Sequence, residues 1–76
     1  MKTFTIKMVW DDGYWHSIIN ENAGFGLTLE SDSYETLAKR VKIAIQDILE
    51  VDFKYTGEFT CVFQTEHVEN MHAQAS

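Results

Sequence analysis

The sequence has a single cysteine, Cys61, among its 76 residues. An internal disulfide is therefore impossible, and a cysteine-based zinc site cannot be built within one chain. Domains of this size bury only a limited core and usually compensate with disulfides, metals or oligomerisation. Oligomerisation is the remedy left, so we expect a homodimer. A lone cysteine also fits a reducing compartment, and the expected location is the cytoplasm.

Basic residues are scarce as well. Six Lys and Arg stand against twelve Asp and Glu, and the formal net charge is −6. Such a chain repels nucleic acid on average and is better suited to a basic protein partner. Lys39, Arg40 and Lys42 form one basic cluster, which we interpret as the solvated face of a helix, balanced by Glu35 and Asp47.

Long apolar runs are also missing. No stretch approaches the roughly 20 residues needed to span a bilayer, and the segment before Lys7 lacks the hydrophobic region of a signal peptide. We therefore expect no membrane association. The hydrophobic content of 45% and aromatic content of 13% nevertheless indicate a folded core. We predict one domain over residues 1–66 and a polar C-terminal tail over residues 67–76.

The first half of the sequence predicts a three-stranded antiparallel meander. Apolar and polar residues alternate from Phe4 to Trp10, the period of a strand with one buried face. Asp12-Gly13 is a strong hairpin signal, and Tyr14 to Asn20 is the return strand. After a polar loop, Phe25 to Glu30 forms a shorter third strand.

The second half predicts one helix and a last strand. Apolar residues recur every three or four positions from Tyr34 to Glu50, and either Ser33 or Asp32 can cap this amphipathic helix. Alternation resumes from Glu58 to Glu66. The order β-β-β-α-β predicts a two-layer α+β domain, with the helix packed on one face of the sheet.

Signals for catalysis are missing. Strands in this order resemble a truncated ribonuclease H fold, whose two metals are held by carboxylates in the middle of the sheet. Here Ile6 to Met8 and Thr60 to Val62 occupy the central positions and supply no carboxylate. Cys61 lies on the inward face of the last strand, together with Phe59 and Phe63, and is expected to act as a small hydrophobe. We therefore predict a protein that is not an enzyme.

Cofactor and metal signals are equally weak. His67 and His72 are five positions apart, whereas two histidines that bind one metal ion from a helix are typically spaced by four positions. Gly24-Phe25-Gly26 precedes a strand rather than a helix, so it is not a phosphate-binding loop. His16 lies on a surface strand, where histidines are rarely catalytic. We predict no cofactor and no metal.

The candidate site is the sheet face that the single helix leaves uncovered. Exposure of Ile18 and Val62 to solvent on this face would be unfavourable, which suggests an interface with a protein. An alternative is a small-ligand or RNA-binding site at the hairpin, built from Trp10, Trp15 and His16, although basic residues are not interleaved there. The residues predicted to form the protein interface are Lys7, Val9, Tyr14, His16, Ile18, Thr60, Val62 and Gln64.

Two segments carry a family resemblance. GLTLESDSYETL (residues 26–37) is similar to the strand-to-helix junction of the HicB-like antitoxin superfamily, and WDDGYWHS (residues 10–17) resembles its hairpin. The resemblance covers about residues 4–50. It is nearest to a branch of short bacterial proteins classed as a domain of unknown function.

The resemblance implies a partial ribonuclease H-like fold with sheet order 3-2-1-4, in which dimers are common. In HicB antitoxins this domain blocks HicA, a small basic RNA-cleaving toxin, and a separate C-terminal domain binds DNA. The present sequence ends at Ser76 without such a domain, so DNA is not an expected partner. Phe25 also stands where the family often has proline.

Overall fold

A computed structural model describes residues 2–67, except for the side chain of His67. The elements follow one another in the predicted order, with three strands, a helix and a final strand. Their bounds are β1 Lys2–Asp11, β2 Tyr14–Ile19, β3 Thr28–Ser31, α1 Tyr34–Val51 and β4 Phe59–His67, with a 3-10 turn at Glu21–Ala23 between β2 and β3. The predicted α+β class is confirmed.

The four strands form one mixed sheet in the order β3-β2-β1-β4. The first three strands are antiparallel neighbours, whereas β4 pairs parallel with β1. A parallel neighbour needs a long crossover, and α1 provides it. The sheet order implied by the family resemblance is therefore the one observed.

A two-residue turn fixes the register of the first hairpin. Asp12 and Gly13 both have positive φ, 50° and 85°, as a type I′ turn requires. Asp11 consequently lies opposite Tyr14, and Trp10 lies opposite Trp15. Since side chains alternate between faces, this register decides which residues of both strands point toward the helix.

The core lies between α1 and one face of the sheet. The helix buries residues spaced by four, and β1 buries every second residue. Ser17 is the one buried polar residue among those described, and its Oγ accepts a hydrogen bond from the Leu29 N–H at 3.2 Å. The buried apolar residues are Phe4, Ile6, Met8, Ile19, Leu37, Val41, Ile45 and Leu49.

The third strand begins at Thr28, and its predicted start at Phe25 was wrong. Gly24 adopts a left-handed conformation with φ 88°, and the chain after it approaches the core as a loop. The Phe25 ring packs 5.6 Å from that of Phe4, between centroids. Alternation of Phe25, Leu27 and Leu29 therefore reflected apolar packing in addition to strand structure.

Three boundaries also became clear. Ser33 caps α1, since its Oγ accepts a hydrogen bond from the Thr36 N–H at 3.3 Å; the alternative cap at Asp32 is not used. The helix ends at Val51, one residue beyond the prediction. Strand β4 spans Phe59–His67, so it begins and ends one residue later than the predicted last strand. Residues 68–76, with His72 among them, lie outside the described residues.

Candidate functional site

The face of the sheet opposite α1, called here the outer face, carries all eight residues predicted as an interface. Within residues 2–67 no element covers it. Tyr14, Ile18 and Val62 remain 51%, 48% and 42% exposed, and only Val9 and His16 of the eight are partly buried. The strand register brings these residues together on three neighbouring strands.

A hollow of about 290 Å³ lies on the outer face at one row of this register. The row runs from Ile18 through Lys7 to Gln64, across β2, β1 and β4. Asn20 closes one side, because its N–H donates to the Thr5 carbonyl at 3.0 Å and its Oδ1 accepts from the Thr5 N–H at 3.2 Å. The hollow is thus lined by Ile18 together with polar residues, of which Asn20 is held in place by its hydrogen bonds with Thr5.

Carboxylates flank the neighbouring row of the outer face. His16 lies opposite Glu30 on one side and Val9 on the other, and Val9 lies opposite Glu66. Glu30 is 3.6 Å from His16 Nδ1, and Glu66 is 3.7 Å from Lys7 Nζ. Exposed pairs of this kind add little stability. They do place a carboxylate at each end of the row that contains His16 and Val9, an arrangement that suits a basic partner.

The structure brings together the two tryptophans of the alternative ligand site but not the histidine. The rings of Trp10 and Trp15 lie 5.4 Å apart, and Trp15 meets the Tyr34 ring edge-on at 5.0 Å, on the helix side of the sheet. His16 follows Trp15 in β2 and points to the outer face. The two tryptophans therefore pack beside the core, away from the histidine.

Cys61 has the environment of a structural residue. Burial raises the pKa of the Cys61 thiol, and the nearby Lys42 ammonium opposes this only in part. A nucleophilic cysteine needs a lowered pKa instead. Among residues 2–67, no three His, Cys, Asp or Glu side chains are grouped closely enough to hold a metal ion. The side chains of His67 and His72 are not among those described.

Sequence reasoning missed part of the surface. Glu30 and Glu66 belong to the outer face, two positions beyond Thr28 and Gln64, so longer alternation would have found them. Asn20 left no such signal, because it lies just after β2 ends and reaches the site only through its hydrogen bonds with β1.

Fold and surface together define a small domain in which one helix backs a four-stranded sheet and, within residues 2–67, no element covers the other sheet face. The family described as "Domain of unknown function (DUF1902)" matches residues 3–75, and the chain belongs to this family. No curated protein and no solved structure matches the chain. In the part of the chain that the structure describes, no helix is long and apolar enough to cross a membrane.

Proposed function

We propose that this domain is a non-enzymatic protein-binding module of the HicB-like antitoxin type, which neutralises a small basic RNA-cleaving toxin. The observation that supports the proposal is the outer face, which no element within residues 2–67 covers and which exposes the side chains of Tyr14, Ile18 and Val62. A HicA-like protein in the cytoplasm is the expected partner, and a reducing compartment fits the unpaired Cys61.

The apolar residues of the outer face supply the first argument. Ile18 and Val62 keep nearly half of their surface exposed, and Tyr14 keeps slightly more than half. Full burial of such a side chain contributes about 1.5–3 kcal/mol. A partner seated over the hollow would cover Ile18 directly and reach Val62 on β4, so a few anchors could carry most of the affinity.

Charge supplies the second argument. The chain has a net charge of −6, and Glu21, Glu30 and Glu66 lie at the borders of the outer face. Complementary potentials speed the encounter with a basic protein and disfavour acidic competitors. The same charges oppose RNA, which makes RNA a poor ligand for this face.

Co-expression with a short basic HicA-like protein encoded beside the gene tests the proposal. We expect the two proteins to purify as a complex, with affinity measured by calorimetry, and RNA cleavage by the toxin to stop when the domain is added. Failure to bind, with cleavage undiminished, would overturn the proposal. A tryptophan fluorescence response to nucleotides or short RNA would instead favour the ligand site at Trp10, Trp15 and His16.

A further inference from the structure

One end of the hollow on the outer face is held in place by a short turn. Asn20 uses its side chain to bind the Thr5 N–H and makes no side-chain cap for the 3-10 turn that follows it. Its carbonyl instead accepts a hydrogen bond from the Ala23 N–H at 3.1 Å, which closes the turn. The turn is thereby tied to β1, and the exposed side chain of Glu21, its first residue, lines the hollow.

The two charged residues that line the hollow, Lys7 and Glu21, lie at different ends of it and have different partners. Lys7 Nζ lies 3.7 Å from a carboxylate oxygen of Glu66, which pairs with Val9, two residues beyond Lys7 along β1. The ammonium is therefore drawn away from Glu21, which adjoins the Thr5 end of the hollow. No cation within residues 2–67 pairs with Glu21, so the hollow keeps one negative charge for a partner.

The other side chains of the hollow suit a planar cation with several donors. Thr5 offers a hydroxyl oxygen and Gln64 an amide oxygen, and neither side chain forms a hydrogen bond within residues 2–67. Ile18, 48% exposed, adds apolar surface beside them. A guanidinium has five N–H donors in one plane and an apolar stem, whereas an ammonium is a compact charge with three donors. The hollow therefore fits arginine better than lysine.

We infer that the hollow receives one arginine side chain of the basic partner. Glu21 pairs with the guanidinium, and Thr5 and Gln64 accept further hydrogen bonds from it. Ile18 contacts the stem. The volume of about 290 Å³ lies just below the range of about 300–1,000 Å³ that is typical of small-molecule sites, which suits a single side chain. The inference rests on the proposed function for the kind of partner, and it adds the group that this partner inserts.

Two short peptides, acetyl-GGRGG-amide and acetyl-GGKGG-amide, test the inference without the partner. Each is titrated into the whole isotope-labelled chain at a constant ionic strength of about 0.1 M, and the amide signals are followed by NMR. We expect the arginine peptide to shift the signals of Asn20, Glu21 and Gln64 with a dissociation constant of about 10 mM, and the lysine peptide to bind at least about threefold more weakly. Equal affinity for both peptides, or no shift of these signals at about 50 mM peptide, overturns the inference.

A matched pair of variants tests the role assigned to Glu21. Glu21→Gln removes the carboxylate that pairs with the guanidinium, and it should weaken the arginine peptide at least about threefold. Glu35→Gln makes the same change in net charge from an exposed position on α1, on the other side of the sheet, and should leave the affinity unchanged. Equal losses in both variants would show that net charge alone attracts the peptide, and would overturn the inference.

The same variants separate this inference from the proposed function. In a complex with a HicA-like protein, Glu21→Gln should raise the dissociation constant about tenfold, and Glu35→Gln should have little effect. A complex that forms but is insensitive to Glu21→Gln overturns the inference and leaves the proposed function in place. Binding of the arginine peptide at the hollow, with no complex formed by the HicA-like protein, supports the arginine site and counts against the proposed function alone.

Discussion

The two faces of this sheet use similar residues for opposite purposes. The face toward α1 includes Ile6 at 0% exposed and Met8 at 0% exposed, and it supplies the core. The outer face includes Ile18 at 48% and Val62 at 42%, with no described element over them. Residue type alone therefore does not reveal the role of an apolar strand residue; the strand register does.

The largest expected effect is on the free energy of unfolding, which should respond differently to substitutions on the two faces. Ile6→Ala opens a cavity beneath α1 and should lower the free energy of unfolding by about 2–5 kcal/mol. Ile18→Ala removes the same atoms from a half-exposed site and should cost less than about 1 kcal/mol. Urea unfolding followed by tryptophan fluorescence measures both. Equal losses would mean that the outer face is buried in solution, as it would be in a dimer formed through that face.

The next largest effect on stability is expected from loss of the buried Ser17 hydroxyl. Ser17→Ala leaves the Leu29 N–H without the Oγ that accepts its hydrogen bond, so stability should fall by about 1–3 kcal/mol. Thr28→Ala changes a hydroxyl on the exposed side of the neighbouring strand and should cost about 0.5 kcal/mol or less. If urea unfolding shows no loss in Ser17→Ala, water or a shifted backbone satisfies Leu29 instead.

Apolar residues of the outer face should matter more for binding a partner than for the stability of the domain. If the outer face holds a basic protein, Ile18→Ala should weaken the complex by about tenfold, or about 1.4 kcal/mol, because it truncates an exposed apolar side chain that lines the hollow. Ile43→Ala is the matched control, since Ile43 is 60% exposed on the helix, away from the outer face. Calorimetry with the same partner compares them. Equal losses in both variants, or none in Ile18→Ala, would remove the outer face as the binding site.

Local signals explain why the hairpin and the helix could be predicted. Asp12-Gly13 permits two positive φ values in succession, and the apolar spacing from Tyr34 onward has the helical period. Alternation in β2 also indicates that Trp15 and His16 face opposite sides, which weakens a site built from both. These features depend on a few consecutive residues.

Features that depend on distant partners were not predictable in the same way. Phe25 alternates with Leu27 as a strand would, yet its ring packs on Phe4 from a loop. The choice between Ser33 and Asp32 as the helix cap depends on backbone geometry that composition does not specify. The hollow requires Asn20 to continue the pairing with Thr5 after β2 has ended.

The smallest expected effect on stability tests whether charges on the outer face serve binding. Glu30→Gln removes one carboxylate beside His16, and because Glu30 is 67% exposed, the free energy of unfolding should change by less than about 0.5 kcal/mol. Association with a basic partner should nevertheless slow a few-fold at low salt, because electrostatic steering weakens, and the difference should vanish at high salt.

Asp47→Asn is the control for this charge, since it makes the same change in net charge from the exposed side of α1. Stopped-flow association rates over a series of salt concentrations compare the two variants. If only the net charge matters, both variants slow equally, and the border of the outer face has no special role. A larger effect at Glu30 in about 0.1 M salt means that the partner approaches this face, since screening at that concentration limits each charge to its surroundings within about 10 Å.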